Sequence, residues 1–375
     1  MLEIRPVETE ADAHLFDDLP YRLYSGSPYW VPPLRAAEAS VFVSGRNPAL
    51  DFCDVCRWVA IDDGRCVGRV AAIINPLWNK KQSSRVGRFS RFEVEERPDA
   101  AHELLRHAEE WLSRRGMESV AGPLGFSNLD QQGFTTLGFD REAALGSSLT
   151  KPYYVELIKA EGYEPLQDWS EYKVSVPQKT PERISVIANA ARRKFGLGLV
   201  EIKSVDDVRK CATAVMDLFN VAFDPLFGTY SFNDALKKYY IDKYIDLLDP
   251  RLVVAVEDRR AAGRPLAGFM IAIPSVTKAL RKAKGSLGFL DLCNIWFQRR
   301  NPTEAEILLA AVRPEARRRG AFSLLIETML GGFRSRGITS VETTAILEGN
   351  DRASSIIKNF EHERHKQKRC YIKAL

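Results

Sequence analysis

The sequence predicts an α/β protein made of two copies of one unit, each a twisted mixed sheet flanked by helices. Three echoes, met in the same order in both halves, carry that prediction. A hairpin of Trp58–Ile61 and Gly68–Ile74 across the turn Asp62-Asp63-Gly64 returns as Val253–Val256 and Gly268–Ile273. Arg115-Gly116-Met117-Glu118-Ser119-Val120 returns 221 positions on as Arg336-Gly337-Ile338-Thr339-Ser340-Val341. Leu157-Ile158-Lys159 returns as Ile356-Ile357-Lys358. Proline and lysine between Val176 and Arg183 mark the join, which gives domains of residues 1–176 and 177–375.

At 375 residues and 45% hydrophobic content the chain can fill two cores. Its 54 Lys and Arg against 49 Asp and Glu leave a net charge of +5. That suits an anionic ligand or an anionic membrane surface and is too small to argue for nucleic acid. No apolar run approaches the roughly 20 residues of a membrane-spanning helix. Met1-Leu2-Glu3-Ile4-Arg5 opens no apolar signal-peptide core, so the expectation is a cytoplasmic protein with at most a peripheral hold on the inner membrane. Six scattered cysteines argue for reduced thiols. Cys53-x-x-Cys56 has redox or zinc spacing, but no second pair or nearby His completes it, and no metal is expected. The histidines, His14, His102, His107, His362 and His365, show neither metal nor triad spacing.

In chain order, residues 1–50 read as an irregular, aromatic lead-in punctuated by Pro32-Pro33 and Asn47-Pro48. After the first hairpin comes a strand over Gly87–Val94. Asp99 is the expected N-cap of a helix with Leu104, Leu105, Ala108, Trp111 and Leu112 on its apolar face and Gly116 at its end. The short strand Ser119–Ala121 runs into Gly122-Pro123 and a glycine-punctuated loop that continues to Phe139-Asp140, of which Gly122 to Asp130 reads as a ligand loop or as a plain connection. In the second copy Ile307–Val312 is an apolar strand that Pro314 stops, because proline cannot donate to a ladder. Gly320 permits a tight turn into a helix with Phe322, Leu325, Ile326 and Met329 on one face. The N–H groups of that helix's first turn, its dipole and Arg317, Arg318 and Arg319 make an anion site suited to a pyrophosphate. In the first copy the same place carries Glu95, Glu96, Arg97 and Pro98, which would repel one. The earlier copy therefore reads as a degenerate scaffold that shapes the acceptor site.

The strand, turn and helix of the second copy resemble the acyl-CoA-binding motif of the GNAT acyltransferase superfamily, Gln/Arg-x-x-Gly-x-Gly/Ala. Here it reads Arg317-x-x-Gly320-x-Phe322, with a bulky residue in the last small position. The resemblance implies tandem GNAT-like domains with acyl-CoA as co-substrate. The implied cofactor-binding residues are Ala310, Ala311, Val312, Arg317, Arg318, Arg319, Gly320, Ala321, Phe322, Ser323 and Asn350. The superfamily's Asn-x-x-Ala-x-x-Leu-Tyr appears as Asn350-x-x-Ala353-x-x-Ile356-Ile357, so Ile357 stands where a tyrosine often protonates the departing thiolate. Tyr371, on a predicted terminal strand, is the candidate replacement.

An amine attacking a thioester must shed a proton, and a carboxylate within hydrogen-bond reach serves as base. Glu348, at the end of the strand expected over Val341–Leu347, is the first candidate and Glu342 the second. Unpaired backbone N–H groups around Ala310–Val312 would polarise the thioester oxygen. The C-terminal cations Arg364, Lys366, Lys368, Arg369 and Lys373 read as ribose-phosphate contacts or as a solvated face.

An insertion absent at this length from the first copy runs from Lys278 to Arg300. Its apolar and aromatic stretch Gly285–Phe297 is flanked by Lys278, Arg281, Lys282, Lys284, Arg299 and Arg300. This is the composition of a segment that lies on an anionic bilayer, lines an acyl tunnel, or simply packs as an amphipathic helix. Together with Trp30-Val31-Pro32-Pro33-Leu34, Val67 to Asn75, Gly122-Pro123, Gly138-Phe139-Asp140, Phe219-Asn220, Pro274 and Glu348-x-Asn350, the chain resembles the bacterial ceramide synthase group. That resemblance implies transfer of a long acyl chain from acyl-CoA to the amine of a sphingoid base such as 3-oxosphinganine. Two other readings stay open: an acetyl-CoA-dependent N-acetyltransferase of a soluble small amine, and an inert CoA- or lipid-binding protein.

Overall fold

Runs rich in Val, Ile and Phe form the strands, and the amphipathic stretches between them form the helices. A computed structural model describes the backbone of all 375 residues and the side chains of all but Asp351 and Arg352. The first half contains β1 (Glu3–Pro6), α1 (Glu10–Leu23), α2 (Arg35–Ser40), β2 (Asp54–Asp62), β3 (Arg65–Ile74), α3 (Pro76–Gln82), β4 (Val86–Val94), α4 (Pro98–Ser113), β5 (Ser119–Gly122), β6 (Phe134–Leu137), α5 (Tyr153–Ala160) and β7 (Glu164–Ser175). The second half continues with α6 (Glu182–Arg193), β8 (Leu197–Leu199), α7 (Val205–Phe223), α8 (Asp234–Tyr244), β9 (Val253–Asp258), β10 (Leu266–Pro274), α9 (Thr277–Ala283) and α10 (Phe289–Arg300). It ends with β11 (Glu304–Val312), α11 (Ala321–Ser335), β12 (Ser340–Thr343), β13 (Ile346–Leu347), α12 (Asp351–Ile357) and β14 (His362–Ala374).

Two compact units result. The first holds Met1–Ser170, Thr277–Cys293 and His365–Leu375; the second holds Glu171–Val276 and Asn294–Arg364. In the first, strands run β1-β2-β3-β4-β5-β14, antiparallel except for the β4–β5 pair. Leu104, Leu105, Ala108 and Leu112 of α4 pack on Trp58, Val70, Phe89 and Val94 of one sheet face. Burying each such leucine contributes about 1.5–3 kcal/mol. Phe16 and Leu19 of α1 cover the other face against Val59, Ile61 and Ala71.

The second unit repeats the plan as β7-β12-β11-β10-β9-β8, with β11–β12 its parallel pair. Leu324, Leu325, Met329, Leu330 and Phe333 of α11 fill its core. The two sheets share even their register. Gly68 opposes Val94 in the first, and Gly268 opposes Val312 in the second.

The echoes break the sequence at 176/177, yet the units are not two contiguous stretches. By its place after α12, β14 is the counterpart of β7, which follows α5. β14 nevertheless pairs with β5 of the first unit, while the end of β7 pairs with β12 of the second. The first unit thus takes His365–Leu375 from the second half of the chain, and the second unit takes the end of β7, from Glu171, out of the first.

Three local expectations are corrected. Residues 1–50 are not an irregular lead-in: β1 pairs with β2, and α1 starts at a reciprocal cap in which Asp12 N–H donates to Thr9 Oγ1 and Thr9 N–H to Asp12 Oδ2. Pro20 sits in the last turn of α1. Asp99 is not the cap of α4, because the helix starts at Pro98, whose missing N–H costs nothing at a first position. Asp99 instead takes a bidentate contact from Arg97, which pulls its carboxyl down to about 2. The strand expected over Val341–Leu347 breaks after Thr343.

Candidate functional site

β11 and β12 run in parallel from the pair Glu304–Ser340 to the pair Ile307–Thr343, and then part. Thr344 N–H reaches back to the Ile307 carbonyl at 3.2 Å, and beyond that point β11 pairs with β10 alone. A register shift between Ile271 and Ala272 of β10 lies beside the parting point. Leu308–Val312 therefore keep one backbone edge without a strand partner. Ile307 through Ala310 are half-buried, whereas Ala311 and Val312 are buried. The result is a slot with a main-chain edge along one wall that no strand pairs among the described residues, although Thr344 Oγ1 donates to the Leu308 carbonyl at 3.4 Å.

The slot leads to the turn Pro314–Arg319 and the start of α11. Gly320 makes this turn with φ 78°, in the left-handed region. A Cβ here would lie 2.8 Å from Ile187 Cγ2 and 3.1 Å from the Ile187 carbonyl of α6, so glycine is required on two counts. The backbone N–H groups of Ala321, Phe322 and Ser323 fall in the first helical turn, where no intrahelical acceptor exists. The three arginines take separate roles. Arg319 donates to Asp258 at 2.5 Å and to the Phe195 carbonyl at 2.7 Å, and this contact holds the Asp258 carboxyl below its usual range. Arg317 donates through Nε to the Val312 carbonyl at 3.3 Å. Arg318 is exposed and forms no ion pair among the described residues. Phe322 is half-buried against the core beneath α11, with Ser323 beside it, also half-buried.

Carboxylates gather where the strands part. Glu342 on β12 is in register with Glu306 on β11 and with Lys173 on β7. Glu306 is 3% exposed and accepts from Ser275 Oγ at 2.9 Å. Sequence reading missed it; the available signal was a carboxylate inside an apolar strand, since Glu is rarely buried unless paired or functional. Glu348 lies apart, in an exposed turn closed by Gly349 at φ 90° and 3.6 Å from Arg364. Asn350 caps α12, its side chain accepting from Ala353 N–H at 3.4 Å. Tyr371 is fully buried in the first unit, opposite Gly122 and 6.2 Å from the Phe134 ring, and burial raises its pKa. It is a core residue there, remote from solvent.

No family model matches the chain. A bacterial ceramide synthase of Caulobacter vibrioides is 27% identical over 385 residues, covering 100% of this chain and 98% of that protein. Protein YghO of Escherichia coli is 25% identical over 381 residues, covering 99% and 95%. Among solved structures, a tandem GNAT protein from the clavulanic acid biosynthesis pathway matches all of this chain and 98% of its own, with a TM-score of 0.55 at 15% identity. The fold is the tandem GNAT fold.

Within that GNAT frame the first copy departs from the second at the turn after its central strand. Glu95 is shared by Arg22 at 2.8 Å and Arg65 at 2.7 Å, and Pro98 takes the first helical position. The C-terminal cations are also occupied: Arg369 forks onto Asp168 at 2.5 and 2.6 Å, and Lys373 bonds Glu109 at 2.8 Å. Lys366 and Lys368 donate to the Glu142 carbonyl and to Ser148 Oγ. These side chains hold the first unit together and are not a ribose-phosphate site. The glycine-punctuated loop after Gly122 is clamped by buried Arg88, which donates to the carbonyls of Gly125 at 2.7 Å and Phe126 at 3.2 Å.

The insertion between β10 and β11 forms α9 and α10. α10 has no buried residue, and Phe289, Leu290, Leu292, Trp296 and Phe297 are between 52% and 79% exposed. Arg299 and Arg300 end it. Among the described residues no helix is long and apolar enough to cross a membrane, and no group of His, Cys, Asp or Glu is arranged to hold a metal ion. The thiols of Cys53 and Cys56 are free, and burial pushes Cys53 up to about 12.

Proposed function

We propose that this GNAT-fold acyltransferase moves a long acyl chain from acyl-CoA to the amine of a sphingoid base such as 3-oxosphinganine. The observation that carries the reading is the parting of β11 from β12 beside the first turn of α11. An acyl-pantetheine arm laid in that slot would meet the unpaired backbone edge of Leu308–Val312, whose N–H groups can polarise the thioester oxygen. The pyrophosphate would then lie at the N-terminus of α11, near Arg318 and the N–H groups of Ala321, Phe322 and Ser323. Glu342, with Glu306 beside it, is better placed by register than Glu348 to receive the proton that the amine sheds.

Two observations support the lipid half of the reading. The ceramide synthase of Caulobacter is similar over its whole length. In addition, α10 offers an unburied face of Phe, Leu and Trp ended by arginines, the build of a helix that rests in the headgroup region of an anionic bilayer. Such a helix would let the enzyme draw both long-chain substrates from the membrane surface.

The test is thiol release and product mass spectrometry with palmitoyl-CoA and acetyl-CoA, each with and without a sphingoid base. N-palmitoyl product formed from the long-chain pair is the expected outcome. Turnover of acetyl-CoA with soluble amines alone would replace the long-chain reading. Tight CoA binding without turnover of any amine would replace the enzymatic one.

A further inference from the structure

The first unit holds a pocket lined by residues of its own α2, β3 and β4. Its floor is an ion network on α2, β3 and β4. Arg69, 2% exposed, donates through Nε to Glu93 Oε2 at 2.7 Å and through a second nitrogen to the Phe16 carbonyl at 2.8 Å. Arg91 forks onto Glu38 at 2.5 and 3.2 Å. Trp30, Phe92 and Phe134 form its apolar walls. Arg91 also holds φ 49° in the middle of β4, where the register against β3 slips. A non-glycine residue in that region costs roughly 1–3 kcal/mol and persists where the surroundings impose it, commonly at ligand sites.

By register, Arg69 and Glu93 stand where the second unit has Phe269 and Ala311. The copies have therefore diverged in charge at this spot. The sign of that charge selects the ligand. Both guanidinium groups of the floor are spent on carboxylates and a carbonyl, so an entering anion finds little to bind. Glu93, in contrast, lines the pocket with one carboxylate oxygen, Oε1, that accepts no hydrogen bond among the described residues. The aromatic walls favour a cation over an anion as well, and they accept an apolar tail.

We propose that this pocket binds the ammonium head of a long-chain amine, with Glu93 Oε1 accepting its hydrogen bond and Trp30, Phe92 and Phe134 enclosing the first carbons of the tail. The proposal draws on the acyltransferase reading for the kind of amine, but binding is measured without turnover.

Calorimetry at neutral pH with octylamine, which is charged there as a lysine side chain is, tests it against octanol and octanoate. One octylamine per chain should bind, with octanol and octanoate at least about tenfold weaker. Glu93→Gln should weaken octylamine about tenfold and leave CoA affinity unchanged. Because that variant also touches Arg69, Gln132→Trp supplies a second route: it fills the pocket from a half-buried loop position and leaves the ion network intact. Gln132→Trp gives up the hydrogen bond from Gln132 Nε2 to the Asn128 carbonyl and should abolish octylamine binding with cooperative unfolding retained and the melting temperature lowered by no more than a few degrees. Equal binding of octanoate, or undiminished octylamine binding in Gln132→Trp, would overturn the assignment. Octylamine bound as described with no thiol release for any amine would instead sink the acyltransferase reading and leave the pocket standing.

Discussion

Gly320 and Arg319 show how much of a binding turn is spent on its own architecture. Gly320 holds a left-handed φ and also presses its bare Cα against Ile187, so Gly320→Ala should cost about 2 kcal/mol or more from strain and contact together. Differential scanning fluorimetry should show the melting temperature several degrees lower, whether or not a ligand is present. Arg319 ties the turn to Asp258 and to the Phe195 carbonyl, and Arg319→Met should cost about 1–2 kcal/mol. The sign of its pH dependence follows from Asp258, whose folded carboxyl titrates below the ordinary 3.8 because Arg319 donates to it. The stability it contributes is present above that ordinary value and is lost as pH falls through the lowered one. Denaturant midpoints of wild type and Arg319→Met should differ at pH 7 and converge in strong acid; a constant gap would detach Asp258 from the effect. Arg318, with no structural partner to lose among the described residues, is the cleaner probe of ligand. Arg318→Glu should weaken CoA about tenfold or more by calorimetry while leaving the melting temperature alone.

At the level of elements, the parts legible in the sequence were those whose signal is local. Both hairpins, the apolar β11 and the apolar face of α11 follow from periodicity within a dozen residues. α1 was hidden in a stretch read as an irregular, aromatic, proline-punctuated lead-in, although Thr9-x-x-Asp12 already announced its start. The slot was half legible: an apolar strand stopped by proline could be read, but the point where β12 leaves it depends on pairing between strands far apart in sequence. Arg69, Glu93 and Glu306 were visible as charges inside apolar runs, yet their partners come from other strands and helices, which no single window contains. α10 was legible as composition and ambiguous as to use, since packing and docking need the same amphipathic residues. Its exposure sets aside burial in the core and motivates the docking proposal. Burying an aromatic side chain supplies about 1.5–3 kcal/mol, so Trp296→Ser with Phe297→Ser should weaken binding to phosphatidylglycerol vesicles at least about tenfold. Neither residue is buried, so thermal stability should not change. Equal flotation of variant and wild type would assign the face to another role.

On the scale of the whole molecule, the exchange of closing strands makes duplication and domain boundary different things. A repeat read from sequence marks where one copy ends and the next begins, but folding follows the hydrogen bonds, and those carry the end of β7 into the second sheet and most of β14 into the first. The first sheet cannot be complete without the last residues of the chain. Cys370 and Tyr371 of β14 are both 0% exposed, and the strand adds the Arg369–Asp168 and Lys373–Glu109 pairs. Deleting a buried aromatic side chain alone costs about 3–5 kcal/mol, a large part of the roughly 5–15 kcal/mol that holds a domain together. A chain ending at Arg364 should therefore lose cooperative unfolding of its first unit, with hydrogen exchange in β4 and β5 accelerating well ahead of that in β10 and β11. By the same reasoning, residues 1–176 and 177–375 produced separately should each lack near-ultraviolet circular dichroism, because each fragment has given its closing strand to the other. Mixing the two should restore the signal with second-order kinetics. A fragment of residues 1–176 that melts cooperatively on its own would show that β14 adds stability to the first unit without being needed to form it.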